Sequence, residues 1–134
     1  MNAFTKENIL ETLKQWYDGF DTHAPIEHYT NLLTDEQLFI DLPPVPKTNF
    51  EEFATWYASN NQTFFDGKHT LHEIDMHWEE DHATVVIPLH WTVRTWAPPA
   101  AHSTQLNLDM IATIILVPDD QTGKPRIQRY TVKE

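Results

Sequence analysis

The stretch from Lys68 to Trp96 keeps a period of two along almost its whole length, and that pattern constrains the fold more than any other feature of the chain. On its first arm Thr70, His72, Ile74, Met76 and Trp78 alternate with His69, Glu73, Asp75 and His77. On its second, Val85, Ile87, Leu89, Trp91 and Val93 alternate with Thr84, Val86, Pro88, His90, Thr92 and Arg94. Successive side chains of a strand fall on opposite faces, so the stretch predicts one long β-hairpin. With a two-residue turn at Glu80-Asp81, Trp78 faces Ala83, Met76 faces Val85, Ile74 faces Ile87 and His72 faces Leu89, which gathers the apolar side chains on one face. In that register His72 is the one strong hydrogen-bonding group of the apolar face apart from Thr70. An unpaired imidazole there would cost about 1–3 kcal/mol, so His72 is expected to have a partner elsewhere in the fold.

The segments on either side supply candidates. From Thr5, a predicted N-cap, apolar residues recur at Ile9, Leu10, Leu13, Trp16, Tyr17 and Phe20, the spacing of one buried helix face that ends near Asp21. Pro25 then opens a short second helix carrying Ile26, Tyr29, Leu32 and Leu33. Gln37 to Leu42 reads as a brief strand stopped by Pro43, Pro44 and Pro46, which cannot donate to a ladder. Thr48 and Glu51 form a capping-box signature for a third helix, whose aromatic face is Phe50, Phe53, Trp56, Tyr57 and Phe64 and which closes at Asp66-Gly67. After the hairpin and a Pro98-Pro99 loop, Thr104 to Val117 is a long strand, wholly apolar on the face of Leu106, Leu108, Met110, Ala112, Ile114 and Leu116 and mixed on the other. Such a strand predicts cover on both faces of its sheet, one by helices and one by a second subunit, hence a homodimer. Arg126 to Val132 is the last strand.

Length and charge narrow the function. A chain of 134 residues reads as a single domain over residues 1–134, long enough to bury about two thirds of its unfolded surface. A formal charge of −11, with only nine Lys and Arg, repels phosphate backbones and anionic lipid, so nucleic acid and membrane surfaces are not expected partners. Without cysteine there is no thiolate nucleophile and no Cys-based zinc site. Lys6, Glu7, Glu11 and Lys14 at helical intervals are unlike a signal peptide, which points to a cytoplasmic protein, and the longest apolar run, Ile114 to Val117, is far short of a membrane span. His69 and His72 fall three apart on a strand, on opposite faces, so they cannot share a metal ion on regular backbone, and no metal is expected. Three glycines, Gly19, Gly67 and Gly123, make no phosphate-binding loop.

Helices with one short strand among them, followed by a meander of long strands, predict an α+β fold in which a curved antiparallel sheet wraps the helices. With the runs Trp16-Tyr17-Asp18-Gly19-Phe20-Asp21 and Leu38-Phe39-Ile40-Asp41, this order resembles the nuclear transport factor 2-like superfamily, in particular its SnoaL-like and ketosteroid isomerase-like branch. The resemblance covers essentially the whole chain. It implies a cystatin-like cone of three N-terminal helices and a curved sheet, open at one end, with any chemistry inside.

Three patterns of that superfamily can be laid on this sequence. The first resembles the dyad of scytalone dehydratase and related lyases. Asp21 at the end of helix one and His72 on the first long strand match it, and Phe20 stands where the dehydratase has a tyrosine. A carboxylate holding one ring nitrogen fixes the tautomer and leaves the other nitrogen as a base. The dehydratase's second histidine would be His90, which the hairpin register puts on the opposite face unless a β-bulge intervenes. The second pattern resembles ketosteroid isomerase: Tyr17 matches its oxyanion donor and Asp41 its base, while its late-strand acid falls near Thr113. The third is a pocket without catalysis. With Phe20, Trp56, Leu89 and Trp91 lining an apolar cavity, the resemblance implies a cofactor-independent lyase or isomerase acting on a small apolar molecule, or else a non-catalytic ligand-binding or dimerisation module. Residue by residue, Asp21 could equally be a turn former, His72 a core histidine bonded to a carbonyl, and Asp41 an acceptor of backbone hydrogen bonds.

Overall fold

A computed structural model describes residues 3–134, so the first two positions of the expected domain lie outside the described residues. Helix α1, Lys6–Thr22, begins where the sequence predicts: Thr5 Oγ1 accepts the Asn8 amide at 3.2 Å, and Ile9, Leu13, Trp16 and Tyr17 are buried along one face. The expected second helix shrinks to a 3₁₀ turn, Ile26–Tyr29. Its continuation is diverted because the backbone just beyond it pairs with the last strand. The Leu32 carbonyl accepts from the Ile127 amide at 2.7 Å, and the Thr34 amide donates to the Ile127 carbonyl at 3.1 Å. Leu32 and Leu33 are buried all the same.

Strand β1, Phe39–Asp41, is shorter than expected, and it runs parallel to the last strand with Ile40 opposite Tyr130. The sheet is therefore mixed rather than wholly antiparallel. No hairpin ties β1 to that strand, and the parallel Leu33–Ile127 bridge has already set the direction of the incoming chain. Helix α2, Phe50–Thr63, starts one residue later than its capping signature: Asn49 Oδ1 accepts the Glu52 amide at 2.8 Å, and Glu52 reaches back to the Thr48 amide at 2.7 Å. It also ends earlier, because Phe64 already pairs with Thr95 as the first residue of β2.

Strands β2 (Phe64–Leu71), β3 (Asp75–Trp78), β4 (Ala83–Thr95), β5 (Thr104–Pro118) and β6 (Pro125–Lys133) complete a curved six-stranded sheet in the order β1-β6-β5-β4-β2, with β3 also paired to β4. The hairpin register holds near its turn, where Trp78 faces Ala83 and Met76 faces Val85, and then slips. Leu71, not His72, faces Leu89, so one extra residue lies in the arm between Leu71 and Asp75. Pro88 is the physical cause. Its carbonyl accepts the His72 amide at 2.8 Å, but it has no N–H to return, and proline inside a sheet is tolerated at such irregularities. A second slip lies between Phe65 and Lys68, where Asp66 takes a positive φ of 52° beside Gly67, the pair expected to close a helix.

The inner faces of β4 and β5 pack on α1 in two zones. At one end Val85, Ile87, Ile114 and Leu116 close with Ile9, Leu13 and Ile127 into a solid core of wholly buried side chains, each contributing about 1.5–3 kcal/mol on burial. At the other end Trp91, Val93, Leu108 and Met110 face the end of α1 and the flank of α2 across open space. No helix among the described residues is long and apolar enough to cross a membrane.

Candidate active site

That open space is a cavity of about 570 Å³, within the roughly 300–1,000 Å³ usual for small-molecule sites. Its wall is mostly aromatic and aliphatic: Trp16, Tyr17 and Phe20 from α1, Trp56 from α2, and Trp91 and Met110 from the sheet. Polar side chains enter at few points, and one of them is His69 of β2.

Asp21 stands in the last turn of α1, where the partial negative charge of the helix end disfavours a carboxylate. Two donors from β2 offset this. Asp21 Oδ1 lies 2.6 Å from His69 Nδ1, and Oδ2 accepts the backbone N–H of His69 at 3.0 Å. The pair is largely withdrawn from water, with side chains 11% and 19% exposed for His69 and Asp21 respectively. An ionised carboxylate only accepts, so the neutral imidazole carries its proton on Nδ1 and leaves the Nε2 lone pair bare. Nε2 has no hydrogen-bond partner among the described residues, and the ring forms part of the cavity wall. Trp91 stacks on that ring at 5.6 Å and 12°, and the Tyr17 ring lies 5.0 Å away, so the base is held by packing as well as by the carboxylate.

The expected dyad partner therefore changes identity. His72 is exposed and borders a shallow groove with Lys6 and Leu10, away from Asp21. The slip in the hairpin moves the inward-facing set on β2 by one residue, so that Leu71 takes the place expected for His72 opposite Leu89 and His69, opposite Trp91, turns into the cavity. Pro88 within a predicted strand, and Asp66-Gly67 just before it, were the signals in the sequence.

Four of the other expected residues, Tyr17, Phe20, Trp56 and Trp91, do line the cavity. Leu89 does not; it is 1% exposed within the core beside the cavity, opposite Met110. His90 points to the outer face, where its Nδ1 meets Asp109 at 2.7 Å, and the β4–β5 register runs unbroken from Ala83 to Thr95, so no bulge brings it inside. The Asp109 carboxylate, as the main cause, holds the His90 pKa above its ordinary value. Thr113 lies between the inward-facing Ala112 and Ile114 and so faces outward. Asp41 is exposed on β1 and is not part of the cavity wall. Among the described residues no group of three or more His, Asp or Glu side chains has the geometry of a metal site.

Tyr130 of β6 was not anticipated. Its hydroxyl lies 3.1 Å from that of Tyr17, deep in the cavity wall, and the Trp16 indole stands beside it at 5.1 Å between ring centroids. Burial pushes the Tyr130 phenol up to about 12, and burial pushes Tyr17 well above its usual value. Lys47, itself buried, closes the loop at one edge of the cavity: its ammonium donates to the Leu42 carbonyl at 2.7 Å and lies 5.5 Å from the centre of the Trp56 ring. Burial lowers its pKa.

No protein-family model matches the chain, and no curated protein matches it in sequence. Solved structures do. A nuclear transport factor 2-like superfamily protein from Salmonella enterica superimposes with a TM-score of 0.79 at 14% identity, over 96% of this chain and 89% of that one. A proposed scytalone dehydratase from Novosphingobium aromaticivorans matches with a TM-score of 0.79 at 15% identity, over 95% and 81% of the two chains. A hexachlorocyclohexane dehydrochlorinase, LinA type 2, matches with a TM-score of 0.81 at 8% identity, over 96% and 83%. The chain has the nuclear transport factor 2-like fold, in which fold and activity are separate matters.

Proposed function

We propose that the protein is a cofactor-independent lyase or isomerase that moves a proton of a small, mostly apolar substrate, with His69 as the base and Asp21 as the group that orients it. The observation that carries this reading is the two-point hold of Asp21 on His69, 2.6 Å to the ring and 3.0 Å to the backbone, in the wall of an apolar cavity. Such a hold fixes both the tautomer and the direction of the imidazole, which is what general-base catalysis requires. In the proposed step Nε2 takes a proton from carbon. The C–H electron pair becomes a double bond, and the proton either leaves with a departing group or returns to a different carbon. Two of the similar structures are named for eliminations, a dehydration and a dehydrochlorination, and a single oriented base suits that class.

The test is a screen of small apolar compounds with an activated C–H bond, followed by proton NMR. His69→Gln, verified as folded by circular dichroism, is expected to lower turnover by about 10²–10⁴-fold. Turnover within tenfold of the parent protein would sink the assignment, and saturable binding without turnover would make the cavity a binding site alone.

A further inference from the structure

The loop that follows β1, residues 42–47, is short of donors. Pro43, Pro44 and Pro46 have no N–H, and the amides of Leu42 and Lys47 both donate to the Ile40 carbonyl, at 3.2 and 2.8 Å. Its carbonyls are left to a side chain. The Lys47 ammonium donates to the carbonyls of Leu42 at 2.7 Å, Pro43 at 3.4 Å and Val45, so its three protons meet three carbonyls of its own loop. A lysine only 4% exposed ordinarily has a carboxylate partner. Here the loop carbonyls and the face of Trp56, 5.5 Å away, take that place. The charges of Asp41 and Glu52 favour the ammonium, but burial outweighs them and lowers its pKa.

The same loop walls the cavity. Leu42, Pro43 and Pro44 all line it, and both prolines are exposed, which puts them at its rim. Trp56, also in the wall, donates its indole N–H to the Pro43 carbonyl at 3.1 Å. The Ile40–Lys47 bridge closes the two ends of the loop, and between them two side chains set its shape, Lys47 from within and Trp56 from α2.

We infer that Lys47 is a specificity-determining residue: its ammonium fixes loop 42–47 in the shape that narrows the mouth of the cavity, which admits slender apolar molecules and turns away broad ones. This rests on the cavity being the substrate site, as proposed above, and not on the identity of the base. Lys47 is not itself part of the cavity wall, so it acts through Leu42, Pro43 and Pro44 rather than by touching the ligand. With the ammonium in place three carbonyls turn toward one point, and the proline rings, their φ fixed by covalent geometry, are carried to the rim. Without it those carbonyls turn to water, because the loop has no amides to replace the lost donors. The loop then rolls outward, and the Pro43 carbonyl parts from Trp56.

The test uses Lys47→Met, which keeps an unbranched apolar stem and removes the donors. Hydrogen exchange of the Trp56 indole N–H, followed by proton–nitrogen NMR, reports the loop. The Trp96 indole, which donates to the Ala100 carbonyl at 2.8 Å in another loop, is the control. Trp56 is expected to exchange about tenfold faster or more in the variant, the scale of one charge-assisted hydrogen bond, with Trp96 unchanged. Fluorescence titration with 1-naphthol and 1-hydroxypyrene reads the selection, and the ratio of their affinities should move about tenfold toward the larger molecule. If Lys47→Met is unfolded by circular dichroism, Lys47→Gln, with two N–H donors on a shorter stem, is measured instead and should move both readings in the same direction. Unchanged exchange at Trp56, an unmoved affinity ratio, or a parent protein that takes neither probe would overturn the assignment. Turnover by the parent protein reads the base separately. No turnover with both readings shifted overturns the dyad and keeps the role of Lys47, while turnover with both readings unmoved does the reverse.

Discussion

Asp21 grips His69 at two points, the ring nitrogen at 2.6 Å and the backbone amide at 3.0 Å, and so ties the C-terminal turn of α1 to the strand that forms one wall of the cavity. One carboxylate thereby sets the tautomer of the imidazole and the position of the strand that carries it. A site assembled from a helix end and a strand needs such a tie, because neither element places the other.

Asp21→Asn separates these two roles. The amide cannot accept as a carboxylate does, so the Nδ1–H tautomer loses its fixing partner and turnover is expected to fall on the order of 10²-fold or more. Nitrogen-15 NMR of the neutral ring should show the proton on Nδ1 in the parent protein and spread over both nitrogens in the variant. Loss of a charge-assisted hydrogen bond in this sheltered place should also cost about 1.5–3 kcal/mol, read by urea denaturation. An unchanged tautomer would show that packing on Trp91 alone holds the ring.

His72 and His69 should behave in opposite ways. His72 is exposed, so His72→Gln is expected to leave turnover within about twofold and stability within about 0.5 kcal/mol. Kinetics of the two glutamine variants side by side test the one-residue slip opposite Pro88, since a regular hairpin would reverse their order.

Gly19→Ala should destabilise, although alanine in a helix interior normally gains about 1 kcal/mol over glycine. A Cβ at this position would stand 2.7 Å from Tyr29 Cζ and closer still to its hydroxyl. Tyr29 cannot move aside, because it is wholly buried and its hydroxyl donates to the Trp16 carbonyl at 3.2 Å. The expected loss is about 1–3 kcal/mol, seen as a lower melting temperature.

Asp119 predicts how the fold responds to acid. Its Oδ2 accepts the Thr122 amide at 2.9 Å and the Gln121 amide at 3.0 Å, and Oδ1 meets Arg126 Nε at 2.8 Å. The Thr122 amide, as the largest cause, holds this carboxyl below its ordinary value. A carboxyl lowered in the folded state adds stability that is present above its unfolded pKa, about 3.9, and is lost as pH falls through the lower folded value. Asp119→Asn should therefore melt below the parent protein at neutral pH, and the difference should close under acid conditions. A gap that stays constant with pH would mean that the charge contributes nothing.

Much of the molecule was legible in local patterns. The period of α1, its Thr5 cap and its Asp21 end follow from helix geometry, and the alternation in β4 and β5 decides which side chains face inward, because neither pattern needs a distant partner. The aromatic cavity wall of Tyr17, Phe20, Trp56 and Trp91 came with them. The identity of the base did not. Whether His69 or His72 faces Asp21 depends on one extra residue opposite Pro88, and a strand's period of two turns a slip of one into a change of face. Tyr130 lay beyond reach for a different reason. Its place beside Tyr17 is set by β6 closing against β5 and β1, which brings together two residues 113 positions apart that no local pattern links. Local sequence determined the elements and their faces, while the tertiary structure decided which polar groups meet, because register and closure are settled only when the strands pair.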